Sequence, residues 1–143
     1  MSGYECISAD PPAIRAFGAI PEEVFEHAAF GMYDLAYDLS DIPPTYSRPI
    51  VAPGDDASEL LANWLEELLF VSQRESLVWS WFVVDRLEEG GIQGSAGGMP
   101  AAQVPSPRVT IAGVEDVPSG LVPVPEGWWA EVRFRTTPDL RLV

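Results

Sequence analysis

The chain has 143 residues, 47% of them hydrophobic, and a single cysteine. That size suits one compact domain with a real core, and the composition excludes wholesale disorder and any intrachain disulfide. A formal charge of −14, with eight arginines and no lysine, argues against direct nucleic-acid binding, because affinity for phosphates comes from neutralising them with Lys and Arg. The same acidity suits a halophilic host, and the missing lysine a GC-rich genome.

From the N-terminus, MSGYECISADPP has neither the basic start nor the apolar stretch of a secretory signal. No apolar run reaches the roughly 18 residues a bilayer span needs, so a cytoplasmic chain without membrane association is expected. Cys6 is expected to be a buried, reduced thiol. Short strands are predicted near 3–7 and 13–18, then a helix over 21–38. Pro21 suits the first helical turn, and Glu22 and Glu23 suit the positive end of the dipole. Val24, Phe25, Ala28, Ala29, Met32, Leu35, Ala36 and Leu39 recur as its buried stripe. Asp34, Asp38 and Asp41 oppose the dipole at the other end, a local cost, and read as a solvated edge. His27, the only histidine, lies four residues after Glu23 and reads as its solvated partner rather than as a base.

Ile42-Pro43-Pro44 breaks the helix. A strand at 45–52 leads through Pro53-Gly54 to a second helix over 56–73. Its apolar face is the clearest in the chain: Leu60, Leu61, Trp64, Leu65, Leu68 and Leu69 follow a 3, 4, 3, 4 rhythm. Asp55 or Asp56 can cap it, with Glu59 in capping-box position. A strand at 77–87 turns at Glu88 to Gly91 into a glycine-rich strand at 91–97, and Trp79 and Trp81 are expected to pack in the core or on the sheet. Residues 99–107 hold three prolines and read as a loop. Weaker strands follow at 108–114 and 120–124. The last strand puts Trp128, Ala130, Val132, Phe134 and Thr136 on one face and Glu131, Arg133 and Arg135 on the other. The tail, 137–143, shows no pattern. Two helices among many antiparallel strands predict an α+β fold: one two-layer domain over 1–143, with both helices on one face of a mostly antiparallel sheet.

Enzyme signals are poor. No motif places a serine beside His27, Gly94 to Gly98 lacks the Gly-Lys-Ser/Thr of a phosphate loop, and no Cys/His cluster could hold zinc.

Several motifs, in order and spacing, resemble the archease family. Glu59-Leu60-Leu61 and Asn63 to Phe70, followed by Glu75 and Leu77 to Phe82, are similar to the family's "DLEALLVDWLNELLYLFD" helix, its glutamate and its "LLFSRF" strand. Ile14 to Gly18 resembles "IRAWG", Pro21 to Asp41 resembles "EELFENAALGLFDLMTDLS", Gly97 to Pro100 falls in the "GEP" region, and Gly127 to Phe134 resembles the terminal "GWRARVIF" strand. The match covers most of the chain and is weakest over 99–125. The resemblance implies a two-layer α+β architecture and an accessory role. Archeases promote guanylate loading of the GTP-dependent RNA ligase that seals tRNA exons, so that the ligase turns over repeatedly. It also implies a divalent cation, usually calcium, held by the aspartate of an "HTAD" motif and another near the C-terminus. Oxygen ligands of this kind suit a hard cation.

This chain departs from the family at those places. Ala9-Asp10 survives without the histidine, and one extra residue separates Asp10 from Ile14. Arg135 stands at the second ligand position of "VIFDV", and Asp139 is the carboxylate four residues further on. Asp10 and Asp139 are thus the candidate metal ligands. The guanidinium of Arg135 either pairs with Asp10, replacing the metal by a built-in salt bridge, or faces solvent. The family's functional lysine, in "VKA", falls near Arg108-Val109-Thr110. The expected function is activation of the tRNA-splicing RNA ligase through an acidic surface that touches the enzyme. The alternative is a metal-independent adaptor or chaperone-like partner of another RNA-modifying enzyme, without ligase activation. A third reading is an enzyme using Asp10 and Asp139 as acid and base.

Overall fold

Two helices carry the strongest local signals, and both form in the computed structural model, which describes residues 3–137. Helix α1 (Pro21–Ala36) starts with Pro21 at its first position, and its N-cap Ile20 makes no side-chain cap bond. Instead, Glu23 reaches back to accept the Ala19 amide at 2.8 Å, satisfying a donor at the helix entry. Helix α2 (Ala57–Glu75) is capped by Asp56, which accepts the Glu59 amide at 2.8 Å. Glu59 in turn accepts from Asp55, so the capping box closes one residue further out than its usual form. The helix ends at Ser76, held in the left-handed region at φ 56°. Both apolar stripes are buried, including every one of the six residues predicted for α2. On α1, Leu35 is only partly buried, while Gly31 and Tyr33 join the buried set. Helix α1 stops two residues short of the predicted end because Tyr37 is extended and Asp38 caps a short 3₁₀ turn over Leu39–Asp41.

The strands are β1 (Tyr4–Ala9), β2 (Pro12–Gly18), β3 (Tyr46–Gly54), β4 (Leu77–Glu88), β5 (Gly90–Pro100), β6 (Ile111–Asp116), β7 (Val122–Val124) and β8 (Gly127–Thr136). The α+β class holds, and the pairings are antiparallel. The expected single sheet is, however, two. One runs β1-β2-β8-β6 with β7 also on β8, and the other runs β3-β5-β4. The helices pack against both sheets. Glu26 of α1 accepts the Val84 amide of β4 at 2.8 Å. Glu66 of α2 accepts the Val114 amide of β6 at 2.5 Å. β4 and β6 are each the outer strand of their sheet. A helix carboxylate therefore occupies a donor that a neighbouring strand would otherwise take.

Trp64 and Trp79 are the largest fully buried side chains. Each indole N–H has a carbonyl partner: Trp64 donates to Phe25 at 3.1 Å, joining the two helices, and Trp79 to Leu68 at 2.9 Å. A Cβ at Gly94 of β5 would run into the Val83 carbonyl oxygen and lie 3.1 Å from Trp64 Cη2. Truncating Trp64 to alanine would cost about 3–5 kcal/mol.

One expectation about a single side chain needs correction. Cys6 is exposed, because β1 is an edge strand whose residues mostly face solvent. Trp81 is 47% exposed. A register shift between Trp79 and Trp81 breaks the alternation and turns Trp81 outward, against Gly97. Among the described residues, no helix is long and apolar enough to cross a membrane.

Candidate functional site

The β1–β2 hairpin closes at the Ala9–Pro12 pair, which leaves Asp10 and Pro11 as its tip, joined by a cis peptide bond. In the next register Ala13 faces Arg133 of β8, so the tip lies at the end of the sheet where β8 carries Arg135. Asp10 is exposed there. Arg135 does not pair with it. Its Nη1 donates to the Val114 carbonyl at 2.8 Å, and the guanidinium lies 3.8 Å from Glu66 and 3.9 Å from Glu115. Glu66 also holds the Val114 amide. The Val114 backbone is thus gripped at its N–H by a helix and at its C=O by the last strand. Gly113 is what makes space, since a Cβ there would run into Arg135 Nη2 and lie 2.7 Å from Glu66 Oε1. Both expectations for Arg135, a bond to Asp10 or a free solvent-facing head, give way to this clamp. The physical reason is register: β6 lies beside β8 at this end and offers partners nearer than the hairpin tip. Asp139 lies outside the described residues.

A hard cation needs several converging oxygens. Among the described residues, no three Asp, Glu, His or Cys side chains converge on a metal-sized space. Arg135, where the sequence resemblance led to the expectation of a ligand carboxylate, carries a guanidinium, which repels a divalent ion. The described residues alone do not make up a site for a hard cation, and Asp139, the other expected ligand, lies outside them.

Arg108, near the family's lysine position, terminates α1. Its backbone N–H donates to the Ala36 carbonyl at 2.8 Å, and its Nη2 donates to the carbonyls of Asp34 at 2.6 Å and Tyr37 at 3.1 Å. A cation at a helix C-terminus is favourable, and it offsets the cost expected from the aspartates there. Those aspartates are not simply a solvated edge. Asp34 accepts from the Tyr4 hydroxyl at 2.5 Å; burial first, then this bond, pushes the Tyr4 phenol up. Asp38 accepts from Ser40 Oγ and N, which hold its carboxyl below the usual range, with Arg108 adding a smaller pull.

His27 is not partnered by Glu23. Its Nδ1 lies 2.5 Å from the Phe17 carbonyl, while Glu23 is turned to Ala19. The residues that sequence reasoning missed are Glu26 and Glu66. Helical spacing marks them only as polar. What demands them is an outward N–H on an edge strand, a tertiary fact with no local signature.

A family model described as the Archease protein family (MTH1598/TM1083) matches residues 8–113. Protein archease of Methanosarcina barkeri is 36% identical over 75 residues, 52% of this chain and 51% of that protein. Protein archease of Methanothermobacter thermautotrophicus is 34% identical over 93 residues, 63% of this chain and 66% of its own length. That of Methanopyrus kandleri is 37% identical over 91 residues, 62% and 65% respectively. The chain thus spans from about half to just under two thirds of the length of these relatives. The solution structure of Methanobacterium thermoautotrophicum protein 1598 superposes with a TM-score of 0.77, covering 94% of this chain and 99% of that one at 24% identity. At that identity the likeness speaks for the fold alone.

Proposed function

The chain belongs to the Archease protein family, and from that premise we propose that it is an accessory protein, not a catalyst. In this reading it raises the turnover of a GTP-dependent tRNA-splicing RNA ligase by promoting guanylate loading, and it works in the cytoplasm. The observation that carries the reading is the family match over residues 8–113, supported by a shared fold over nearly the whole chain. Charge supports the mode of action. A chain at −14 without lysine is poorly matched to tRNA and well matched to the basic surface of an enzyme that handles RNA. The arginines near the candidate site are already committed, Arg108 to helix carbonyls and Arg135 to Val114, Glu66 and Glu115. The site therefore acts by contact with the ligase and not by gripping phosphate.

The Arg135 clamp favours a second reading, in which the fold serves as a metal-independent adaptor for another RNA-modifying enzyme and ligase activation is lost. Multiple-turnover ligation of a nicked tRNA substrate by the host's ligase, with and without this protein, separates the two. More turnovers per ligase molecule are expected. An unchanged turnover number removes the first reading and leaves the second.

A further inference from the structure

At the opposite end of β2 and β8 from Asp10 lies an open groove of about 790 Å³, within the roughly 300–1,000 Å³ of ligand-binding clefts. Its walls are aromatic. Phe17 and Trp129 are register partners, Trp128 and Tyr4 also line it, and Phe17 is 38% exposed. Its charged lining is acidic: Glu5, Glu23 and Glu126, with His27 as the one basic residue type. With Nδ1 turned to the Phe17 carbonyl, His27 keeps only Nε2 for another partner. Trp129 already carries one guanidinium, that of Arg15, 4.3 Å from its ring centroid. Arg15 touches Glu5 only at 4.0 Å, and neither Glu126 nor Glu23 has an arginine partner among the described residues.

We infer that this groove docks a protein segment in which an apolar side chain is flanked by arginine or lysine, carried by the RNA ligase. The aromatic floor takes the apolar side chain. The carboxylates of Glu5 and Glu126 take the cations. Charge complementarity selects this occupant, since the acidic rim repels nucleic acid and matches the basic segments that an RNA-handling enzyme must display. The inference rests on the accessory role proposed above, and it places the docking surface away from the Asp10 end of the sheet.

The test has two arms. In the first, binding of the host ligase is measured by titration calorimetry for the unaltered chain, for Phe17→Ser, for the exposed-charge double variant Glu5→Gln/Glu126→Gln, and for Val51→Ser on the other sheet as control. Phe17→Ser is expected to weaken binding about tenfold. The charge variant should flatten the salt dependence of binding, and Val51→Ser should change nothing. Equal affinity and equal salt dependence across all four overturn the inference while leaving the accessory role intact. In the second arm, which needs no ligase, acetyl-Arg-Leu-Arg-Leu-Arg-amide is titrated against the ¹⁵N-labelled chain, with acetyl-Glu-Leu-Glu-Leu-Glu-amide as its counterpart. The basic peptide alone should shift the indole N–H signals of Trp128 and Trp129. No shift, shifts scattered over the acidic surface, or equal shifts from a short oligonucleotide overturn it. Should the ligase bind none of the proteins, the accessory role falls and the peptide arm alone decides the groove.

Discussion

Replacing Arg135 by alanine and Glu66 by glutamine, singly and together, tests the clamp on Val114. Arg135→Ala removes one charged-donor hydrogen bond at 2.8 Å, a class worth about 1.5–3 kcal/mol. The side chain is 51% exposed, so solvent screening cuts that to roughly 1 kcal/mol. The ion pairs at 3.8 and 3.9 Å are long and half-solvated, and add a few tenths of a kcal/mol each. The expected loss is thus about 1.5 kcal/mol, or roughly 5 °C in Tm for a chain of this size. Glu66→Gln keeps an oxygen for the Val114 amide and loses only charge, about 0.5 kcal/mol. The double variant should show a coupling of similar size. Urea unfolding followed by far-UV circular dichroism at pH 7 and low salt measures all three. A loss below about 0.3 kcal/mol for Arg135→Ala would refute the clamp. So would a coupling of Arg135→Ala to Asp10→Asn larger than its coupling to Glu66→Gln.

Tyr33→Phe deletes a buried hydroxyl that donates to Ser72 Oγ at 2.8 Å and approaches the Leu68 carbonyl at 3.3 Å; a loss of about 1 kcal/mol is expected by urea unfolding. Calcium added to chelator-treated protein is expected to leave Tm unchanged, whereas a native-state ligand at 100 times its Kd would add about 2.7 kcal/mol. A calcium-dependent rise would return a cation to the site. Arg48 bonds Glu75 at 2.8 Å and holds its carboxyl below the ordinary 4.5. A carboxylate depressed in the folded state contributes stability above its unfolded pKa and loses it as pH falls through the folded one. Arg48→Gln should therefore be less stable than the parent at pH 7, with the gap closing on acidification in thermal melts. A gap that persists in acid would mean the pair is not its source.

The helices were legible because their stripes repeat over four or five turns and their starts carry a proline or a cap. The final strand was legible from Ala130, Val132 and Phe134, which alternate cleanly inward. The split into two sheets was not. Nothing local in Val84 or Val114 says that its amide will meet a carboxylate 58 or 48 residues away. The burial of Trp79 against the exposure of Trp81 turns on an irregularity in β4 pairing, and strand periodicity assumes there is none. At the candidate site, the resemblance linked Asp10 with Arg135 and left Arg135 either paired with Asp10 or facing solvent, and neither reading foresaw its contacts with Val114, Glu66 and Glu115. Ion pairs between strands depend on register, and β6 was the least well marked of the strands involved.

Among the described residues, six acidic side chains are seated on backbone amides: Glu23 on Ala19, Glu26 on Val84, Asp38 on Ser40, Asp56 on Glu59, Glu59 on Asp55 and Glu66 on Val114. These contacts act over a single bond length, inside the reach of any ionic atmosphere, whereas the mutual repulsion of 22 carboxylates acts across the whole molecule. Dissolved electrolyte therefore damps the repulsion while leaving the amide-seated acids largely in place. The fold can tolerate so much negative charge without lysine because much of its cohesion from acids is drawn from the peptide backbone itself, and brine should tighten it.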